Sequence, residues 1–324
     1  MLRFLQKFFL YLSMHSIIKF NNREPESGQR KISYSQYSMY AQCPKRWELA
    51  YVKNLRTFTQ SIHTLFGTAF HETLQHYLTV MYETTAKAAD EIDLNAMLLS
   101  RMQTLYKEAV KKMDDHFSDK FQLTEFYNDG VEILNTVKRN RARYFSAKNE
   151  ELVGIEVRIY HPVSAKNPNV FMLGYLDIVI RDKRTDRIKI IDIKTSTMGW
   201  NKYQKADKLK SSQLVLYKKY FAEQYGFEVE KIDILYMIVK RKLIEGAMFP
   251  QRRVQEHAPA SGKPTRNVLT RSIDNWVETC FTATGDYITN KSYPAIPGKN
   301  KKHCKYCDFK DQFDLCPKEN RLKE

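Results

Sequence analysis

The sequence contains little cysteine and glycine and no long apolar run. Five cysteines in 324 residues are too few for the disulfide framework of a small secreted domain. No stretch reaches the ~20 apolar residues that a membrane-spanning helix requires. The GxxxxGK[ST] phosphate-binding loop is also absent, since "SGKPT" at 261–265 lacks the upstream glycine. We therefore expect neither a disulfide-stabilised scaffold, nor a membrane protein, nor an NTP-driven motor.

Acidic residues are scarce relative to basic ones. The chain has 37 Asp and Glu against 53 Lys and Arg, which gives a formal net charge of +16. Such an excess favours an anionic partner, and nucleic acid is the default because binding neutralises its phosphates. A generally basic surface without a specific partner is the alternative.

The first 30 residues differ in character from the rest. Residues 1–20 are basic and free of acids, with an apolar centre of five residues from Phe8 to Leu12 and no small-residue cleavage pattern. We expect no secretory signal here, while a mitochondrial presequence or an extension before a start at Met14 stay open. Residues 21–30 are polar. We predict an N-terminal extension and linker over 1–30, in a cytoplasmic protein of a bacterial or phage-infected cell.

Residues 31–324 are predicted to form one domain with an α/β fold. Its helical part covers 31–150, and a core at 151–242 contains three β-rich runs, a helix and a further strand. The C-terminal helical and cysteine segment covers 243–324. This order of elements predicts a mixed central sheet flanked by helices, with a large helical insert on its N-terminal side.

Several local boundaries can be predicted as well. Ser35 is a candidate N-cap, and Pro44 suits the first position of a helix that follows a Cys-Pro break. A helix is predicted at about 207–225. Residues 250–268 are predicted to be a basic loop, and 271–289 a helix around a tryptophan.

Three charged residues interrupt apolar strand patterns. Because strand side chains alternate between faces, Asp177 falls in an apolar row, and Asp192 and Lys194 share one face of the next strand. If "DKRTD" at 182–186 closes a hairpin, the two aspartates point the same way within reach of one cation. Two carboxylates on rigid strands suit Mg²⁺. The alternative is an Asp–Lys pair on an exposed strand face.

The cysteines are spaced like metal ligands. Cys304 and Cys307 form a C-x2-C pair that Cys316 follows, and Cys43 lies near the other end of the chain. This pattern indicates metal or cluster ligation. Cys280, inside a predicted helix, is interpreted as a packed thiol.

Five motifs together resemble the RecB/AddB-type branch of the PD-(D/E)XK nucleases, which includes CRISPR-associated RecB-like exonucleases. They are, in chain order, the cysteine-proline segment "YSQYSMYAQCPKRWELAY", "GTAFHETL", "GYLD", "DIKTS" and "QLVLY". The resemblance runs from about residue 33 to 317. It implies a restriction-endonuclease-like core and a metal-dependent nuclease activity.

The resemblance assigns roles to the charged residues. It implies that His71, Asp177 and Asp192 hold Mg²⁺ or Mn²⁺, helped by the carbonyl of Ile193. Lys194 would orient or deprotonate the attacking water, while the cation offsets the charge that develops on the phosphate. Whether one or two cations act is left open.

Two further residues on the helix after the second strand fit the same family. Gln213 and Tyr217 lie four residues apart, which is one helical turn, and the resemblance implies that they position the substrate strand or the lysine. Without it, they are equally well explained as polar positions on an amphipathic helix. His63 and His76 are competitors for the histidine role, and Glu156 is a further acid with a counterpart in some relatives.

The resemblance also implies a cofactor for the cysteines. Cys43, Cys304, Cys307 and Cys316 match the layout that ligates a [4Fe–4S] cluster, and structural zinc is the alternative. The C-x8-C spacing is long for the family, so His303 could replace Cys316 in a Cys3His zinc site. Either species would tether the N-terminal helix to the C-terminal tail.

We predict a DNA nuclease, an exonuclease of single strands or duplex ends that acts in recombination, repair or phage DNA metabolism. The Gln-x-x-x-Tyr element favours an exonuclease over a structure-specific endonuclease. A nuclease-fold scaffold that binds DNA without cutting is the alternative from another class, but both acids and the lysine are present. A helicase or recombination protein is an expected partner.

Overall fold

The computed structural model describes residues 26, 28–56, 59–319 and 321. Most of the predicted extension and linker, 1–25 and 27, lies outside the described residues. Of the helices within the described ranges, none is both long and apolar enough to cross a bilayer.

The described residues divide into two compact units. The first contains Asp177 and Asp192 and is called the carboxylate unit; the second contains the four predicted cysteine ligands and is called the cysteine unit. The carboxylate unit comprises the described residues of Phe58–Val157 and Tyr175–Ser261. The cysteine unit comprises those of Asn22–Thr57, Arg158–Gly174 and Gly262–Glu324. The predicted division of a single domain at 150 and 242 stays a prediction.

Five helices precede the long strands of the carboxylate unit and form the predicted helical insert. They are α3 (Ile62–Glu83), α4 (Ala86–Asp90), α5 (Leu94–Met113), α6 (Lys120–Arg139) and α7 (Arg141–Tyr144). Side-chain oxygens cap four of these helices by accepting backbone N–H groups of the first turn, which would otherwise lack partners. The capping residues are Ser61, Thr85, Asp93 and Asp119.

The strands form a mixed sheet. They are β1 (Arg30–Ile32), β2 (Glu150–Ser164), β3 (Asn167–Asp182), β4 (Ile188–Ser196), β5 (Ile232–Lys240) and β6 (Val254–His257). Within the carboxylate unit, β4 runs antiparallel to β3 and parallel to β5, and β6 runs antiparallel to β5. The long strands β2 and β3 pair with each other. The sheet and its flanking helices confirm the predicted α/β fold.

Two helices connect β4 to β5, because parallel neighbours require a crossover. They are α8 (Lys202–Ala206) and α9 (Lys208–Tyr225), and α9 confirms the helix predicted at 207–225. Helix α9 packs against β4 and β5 and ends at Gly226, whose φ of +74° is the left-handed conformation that glycine adopts at low cost. On β4, Ile191 and Ile193 belong to a core that also contains α3, α5 and α6.

The cysteine unit is built around two tryptophans. Its helices are α1 (Tyr34–Gln42), α2 (Pro44–Trp47) and α10 (Lys263–Cys280), with a π-helical turn after α2. The rings of Trp47 and Trp276 lie 5.9 Å apart at their centroids, and both side chains are buried. Five more aromatic rings surround this pair, namely Tyr37, Tyr40, Phe281, Tyr287 and Tyr293.

Pro44 begins α2 as predicted, but the predicted N-cap Ser35 is wrong. The cap is Ser33, which has an extended backbone and accepts the N–H of Gln36 at 3.3 Å. Ser35 lies inside α1. A cap needs both an extended backbone and an oxygen that reaches the third helical residue, and only the earlier serine meets both conditions.

The predictions for 250–289 are wrong in part. Strand β6 lies within the predicted loop, and α10 spans Lys263–Cys280 rather than 271–289. Pro264 occupies the first turn of α10, where its missing N–H costs nothing. The first turn of α10 consists of basic and polar residues and a proline, a composition that is also typical of a loop. The buried stripe that identifies the helix consists of Leu269, Ile273, Trp276, Val277 and Cys280.

Candidate active site

The two aspartates lie opposite each other on the β3–β4 hairpin. Ile178 pairs with Ile191 across these strands, so Asp177 and Asp192 occupy the next cross-strand position and share one face. The turn at 182–186 closes the hairpin as predicted, with the Asp182 N–H bonded to the Arg187 carbonyl. Rigid strands therefore fix the two carboxylates as neighbours.

Both carboxylates are poorly solvated. Asp192 is only 3% exposed, and its Oδ2 atom is buried without a hydrogen bond of good geometry. Burial raises the pKa of Asp192. Burial, and then the Asp192 charge, raise the pKa of Asp177 well above its usual range, although Lys194 and the Ile193 N–H oppose this. Carboxylates in this setting gain strongly from a bound cation.

Lys194 provides the nearest positive charge. Its Nζ lies 2.6 Å from Asp192 Oδ2 and donates to Gln213 Oε1 at 3.3 Å. Burial works against the charged form of the amine, but Asp192 and Asp177 outweigh it and raise the pKa of Lys194. The ammonium is therefore protonated at neutral pH and balances the hairpin carboxylates.

His71 faces Asp177 from helix α3. Its Nδ1 lies 3.4 Å from Asp177 Oδ2. Burial, with a further contribution from Lys194, lowers the pKa of His71 to about 4, although a hydrogen bond with the Ile193 backbone acts in the opposite direction. The imidazole is thus neutral at physiological pH, which is the form that ligates metals. One turn earlier, Gly67 faces β4, where a Cβ would lie 3.4 Å from Thr195 Oγ1, an ordinary van der Waals contact.

Gln75 joins the site although the sequence did not single it out. Its Nε2 donates to Glu156 Oε1 at 2.6 Å and to the Asp177 carbonyl at 3.2 Å. Glu156 has a φ of +50°, which is costly for a residue other than glycine, and its charge also raises the pKa of Asp177. Gln75 follows His71 by four residues, so helical periodicity could have identified it.

Gln213 and Tyr217 lie one turn apart on α9, as predicted. The Gln213 Nε2 lies 3.4 Å from the Tyr217 hydroxyl, and its Oε1 accepts from Lys194. Burial raises the pKa of Tyr217. The pair therefore connects α9 to the lysine, whereas the competing His63 and His76 are absent from these contacts with the hairpin carboxylates.

Tyr236 is another residue that sequence reasoning missed. It pairs with Asp192 in the β4–β5 register, and the Lys194 Nζ lies 5.9 Å from its ring centroid. Its hydroxyl donates to the Lys210 carbonyl at 2.8 Å and accepts the Leu214 N–H at 3.4 Å. Tyr236 thereby fastens the start of α9 to the strand beside the carboxylates. Within a sequence it is an ordinary aromatic strand residue.

The donor set of the hairpin fits a divalent cation. Across the described positions, no group of three or more His, Cys, Asp or Glu side chains already has the arrangement of a metal site. The buried Asp192 Oδ2, the poorly solvated Asp177 carboxylate and the neutral His71 nevertheless supply hard oxygen and imidazole donors. The Ile193 backbone, which bonds to His71, adds a carbonyl. The roles of these residues stay predictions.

The predicted cysteine ligands all lie in the cysteine unit as free thiols. Burial raises the pKa of Cys304, which Cys43 and Cys316 raise further, and burial likewise raises that of Cys307, with a contribution from Cys43. These interactions place Cys43 and Cys316 near Cys304, and Cys43 near Cys307. Cys280 is separately buried among Tyr40 and Tyr293, and burial raises its pKa to about 11, as suits a packed thiol.

Polar groups around these sulfurs offset part of the burial that disfavours their thiolate forms. The Ile296 N–H donates to Cys43 Sγ at 3.3 Å, and the Phe309 N–H bonds to Cys307. Nearby cations, Arg321 at Cys304 and Arg46 at Cys307, oppose the effect of burial, although the pKa of each thiol remains raised. Hydrogen bonds and positive charge of this kind support thiolates that ligate iron or zinc. Four thiols are chemically suited to iron or zinc, but among the described residues no group of three or more such side chains has the arrangement of a metal site, so the ligand set stays a prediction.

Comparison with known proteins identifies the family. A search among curated proteins finds no match. The family model of the PD-(D/E)XK nuclease superfamily matches residues 31–316, which is most of the chain and includes both units. The mixed sheet flanked by helices fits that superfamily, whose nucleases typically use divalent metals. The chain therefore belongs to the PD-(D/E)XK nuclease superfamily, and its function is of the nuclease type.

Proposed function

We propose that the chain is a divalent-metal-dependent DNA nuclease, an exonuclease that hydrolyses single strands or duplex ends in recombination, repair or phage DNA metabolism. The observation that carries the proposal is the shared face of Asp177, Asp192 and Lys194 on the β3–β4 hairpin, with Gln213 bonded to the lysine. The net charge of +16 supports DNA as the substrate, and a helicase or recombination protein is proposed as partner.

In this proposal, Asp177, Asp192, His71 and the Ile193 carbonyl hold Mg²⁺ or Mn²⁺. A divalent cation supplies Lewis-acid stabilisation of the charge that develops on the phosphate during hydrolysis. The chain's own contribution is a rigid donor set on two strands and one helix. Because the hairpin holds both carboxylates close before any substrate arrives, little reorganisation is needed during the reaction.

Lys194, Gln213 and Tyr217 act on the attacking water and the substrate strand. The raised pKa of Lys194 keeps its ammonium protonated, so it orients the water and donates to phosphate oxygens. Gln213 fixes the ammonium, and Tyr217 supports Gln213 from the next turn of α9. Because the protonated ammonium has no free electron pair, it cannot accept the proton of the attacking water, which would pass to solvent instead.

Linear and circular DNA distinguish the possible activities. End-labelled linear DNA and closed circular DNA are incubated with the protein and with Mg²⁺ or Mn²⁺. We expect the linear substrates to be degraded and the circle to resist. Rapid linearisation of the circle would identify an endonuclease instead. The Asp192→Ala variant is expected to lose DNA cleavage and to keep DNA binding. Wild-type protein that binds DNA but cuts no substrate would support the scaffold alternative.

We also propose that Cys43, Cys304, Cys307 and Cys316 ligate a [4Fe–4S] cluster that stabilises the cysteine unit. Protein purified without oxygen is expected to be brown and to carry about four iron and four sulfide per chain. Cys304→Ser should lose the colour, whereas Cys280→Ala, which removes a thiol of the same unit, should keep it. Colourless protein that carries zinc would establish the zinc alternative, and colourless metal-free protein would contradict both.

In the zinc alternative, His303 replaces Cys316 as the fourth ligand. The His303 Nδ1 lies 3.2 Å from the Ile296 carbonyl, which fixes the ring orientation, and Ile296 also bonds to Cys43. Gly298 is required beside it, because a Cβ there would lie 2.6 Å from the imidazole. A His303→Ala variant that loses zinc while Cys316→Ser keeps it would favour this ligand set.

A further inference from the structure

The segment between β4 and α9 borders a cavity that the nuclease site does not use. The cavity has a volume of about 450 Å³ and is lined by residues 196–201 together with Gln204. The segment begins two residues after Lys194 and leads through α8 to α9, the helix that carries Gln213 and Tyr217. Both ends of the segment are thus attached to elements of the candidate active site.

Aromatic contacts join this cavity to the lysine. The Lys194 Nζ lies 5.9 Å from the ring centroid of Tyr236, whose ring lies 4.9 Å from that of Trp200. Trp200 lines the cavity and also carries the Lys210 ammonium at 5.3 Å from its ring. One buried aromatic ring, that of Tyr236, therefore links the Trp200 wall of the cavity to the Lys194 ammonium.

The segment is held in one conformation. Gln255 accepts the Trp200 N–H at 2.8 Å and donates to the Trp200 carbonyl at 3.0 Å. The Ser196 hydroxyl bonds to both the N–H and the carbonyl of Gly199. Gly199 has a φ of +86°, and a Cβ there would lie 2.8 Å from the Lys240 side chain. Such bracing reduces the entropy that ligand binding would otherwise cost.

Two large apolar side chains project from this braced segment into solvent. Met198 is 50% exposed, and Tyr203 on α8 is 73% exposed. Because the loop around them is ordered by hydrogen bonds, neither side chain is exposed merely through local disorder. Met198, which lines the cavity, and Tyr203, next to the lining residue Gln204, therefore place apolar surface beside the cavity.

The surroundings of Tyr203 are strongly basic. Residues 201–210, "NKYQKADKLK", contain four lysines and a single acid, Asp207. Asp207 caps α9 by accepting the N–H groups of Leu209 and Lys210. The Lys202 Nζ lies 5.0 Å from the Tyr203 ring centroid. The exposed aromatic ring is therefore embedded in positive charge.

We propose that Met198, Tyr203 and the lysines of 201–210 form a stacking platform for single-stranded DNA, which leads the strand into the candidate active site. This inference rests on the proposed DNA nuclease function and names the form of DNA that the segment binds. Lysines would pair with phosphates, while a base would stack on Tyr203 and contact Met198. Unpaired bases offer their faces to such a ring, whereas duplex bases are already stacked on one another.

The chain supplies a matched control for this arrangement. Phe121 is 75% exposed at the second position of α6, and the Lys120 Nζ lies 5.1 Å from its ring centroid. Tyr203 likewise occupies the second position of α8 and follows a lysine placed over its ring. Phe121 and Tyr203 are thus similar in exposure and in the lysine beside the ring. Only Tyr203 neighbours a residue that lines the cavity, Gln204.

The test measures binding of fluorescein-labelled oligonucleotides by anisotropy, in the Asp192→Ala protein so that cleavage does not interfere. One probe is a short thymidine oligonucleotide, and the other is an abasic oligonucleotide of equal length. Tyr203→Ala is expected to weaken thymidine binding by roughly 5- to 100-fold and to leave abasic binding unchanged, since only the base stacks. Tyr203→Phe should retain tight binding, and Phe121→Ala should change neither probe.

Unchanged affinity of Tyr203→Ala for the thymidine oligonucleotide would overturn the proposed platform. An equal loss of affinity for both oligonucleotides would also overturn it, because such a loss reflects charge rather than stacking. The parallel assay with linear DNA separates these results from a failure of the nuclease function. Protein that degrades duplex ends while Tyr203→Ala binds normally remains a nuclease without this platform. Protein that neither binds nor cuts DNA would overturn both proposals.

Discussion

Replacing Asp177 with asparagine is expected to stabilise the metal-free protein while it abolishes cleavage. The free energy of unfolding should rise by about 0.5–2 kcal/mol, as in other substitutions that relieve an unfavourable native charge. DNA cleavage with Mg²⁺ should fall by at least about a thousandfold, since a cation ligand is lost and metal stabilisation of the reaction is worth several kcal/mol. The two effects have opposite signs because the carboxylate serves the reaction rather than the fold.

The environment of Asp177 explains the gain in stability. Its carboxylate is poorly solvated and faces the charge of Asp192, and these two causes raise its pKa well above the usual range. When the pKa of a group is higher in the folded than in the unfolded protein, the protein loses stability as the pH rises through the interval between the two values. The ionised form of Asp177 therefore destabilises the fold at neutral pH. Asparagine removes the charge, and its side-chain oxygen can still accept the Ile193 N–H that now bonds at 2.7 Å.

The matched control is Asp192→Asn on the opposite strand. It removes the same charge but also takes away the partner that lies 2.6 Å from the Lys194 ammonium, so we expect a smaller gain or a loss. Urea unfolding in the presence of a chelator measures both variants. Addition of Mg²⁺ or Mn²⁺ should then stabilise only the wild-type protein. A lower unfolding free energy for Asp177→Asn would contradict this account of the site.

The hairpin and its charges could be predicted from sequence because each depends on local information. Alternation along two adjacent strands fixes which residues share a face, and a short turn fixes the register between them. Asp177, Asp192 and Lys194 therefore met as expected. The Gln213–Tyr217 contact followed in the same way from the helical period.

Other parts of the site depend on tertiary contacts that periodicity does not encode. The hydrogen bond between Gln75 on α3 and Glu156 on β2 joins residues 81 positions apart in the chain. Tyr236 lies near Lys194 because β4 and β5 pair in parallel, and the chain between these two strands must form a long crossover, here of two helices. Neither contact leaves a local pattern in the sequence.

The misplaced helix in the C-terminal part has a related cause. Its first turns, from Lys263 onward, expose basic and polar residues and bury none before Leu269, so composition there predicts a loop. The capping glycine and the proline in the first turn were the available signals. Strand β6, only four residues long, is likewise too short for alternation to reveal.

A second large effect is expected where α6 meets the end of β5. Asp129 accepts hydrogen bonds from Arg241 at 2.7 Å and from Lys242 at 3.0 Å. Asp129 and Arg241 are 8% and 6% exposed, and the Arg241 guanidinium stacks 3.5 Å from the ring centroid of Phe126. Removal of one partner of such a buried pair leaves the other charge without compensation, which costs about 3–5 kcal/mol.

Asp129→Ala should therefore lower the free energy of unfolding by about 3–5 kcal/mol in urea titrations followed by circular dichroism. Glu125→Ala is the matched control, because Glu125 pairs with Lys242 at 2.8 Å but is half-exposed, so a change within about 0.5 kcal/mol is expected. The double variant Asp129→Leu with Arg241→Met should lose much less than Asp129→Ala, since it leaves no unpaired charge. If the double variant and Asp129→Ala lose the same free energy of unfolding, then lost packing, rather than the unpaired Arg241 charge, accounts for the effect.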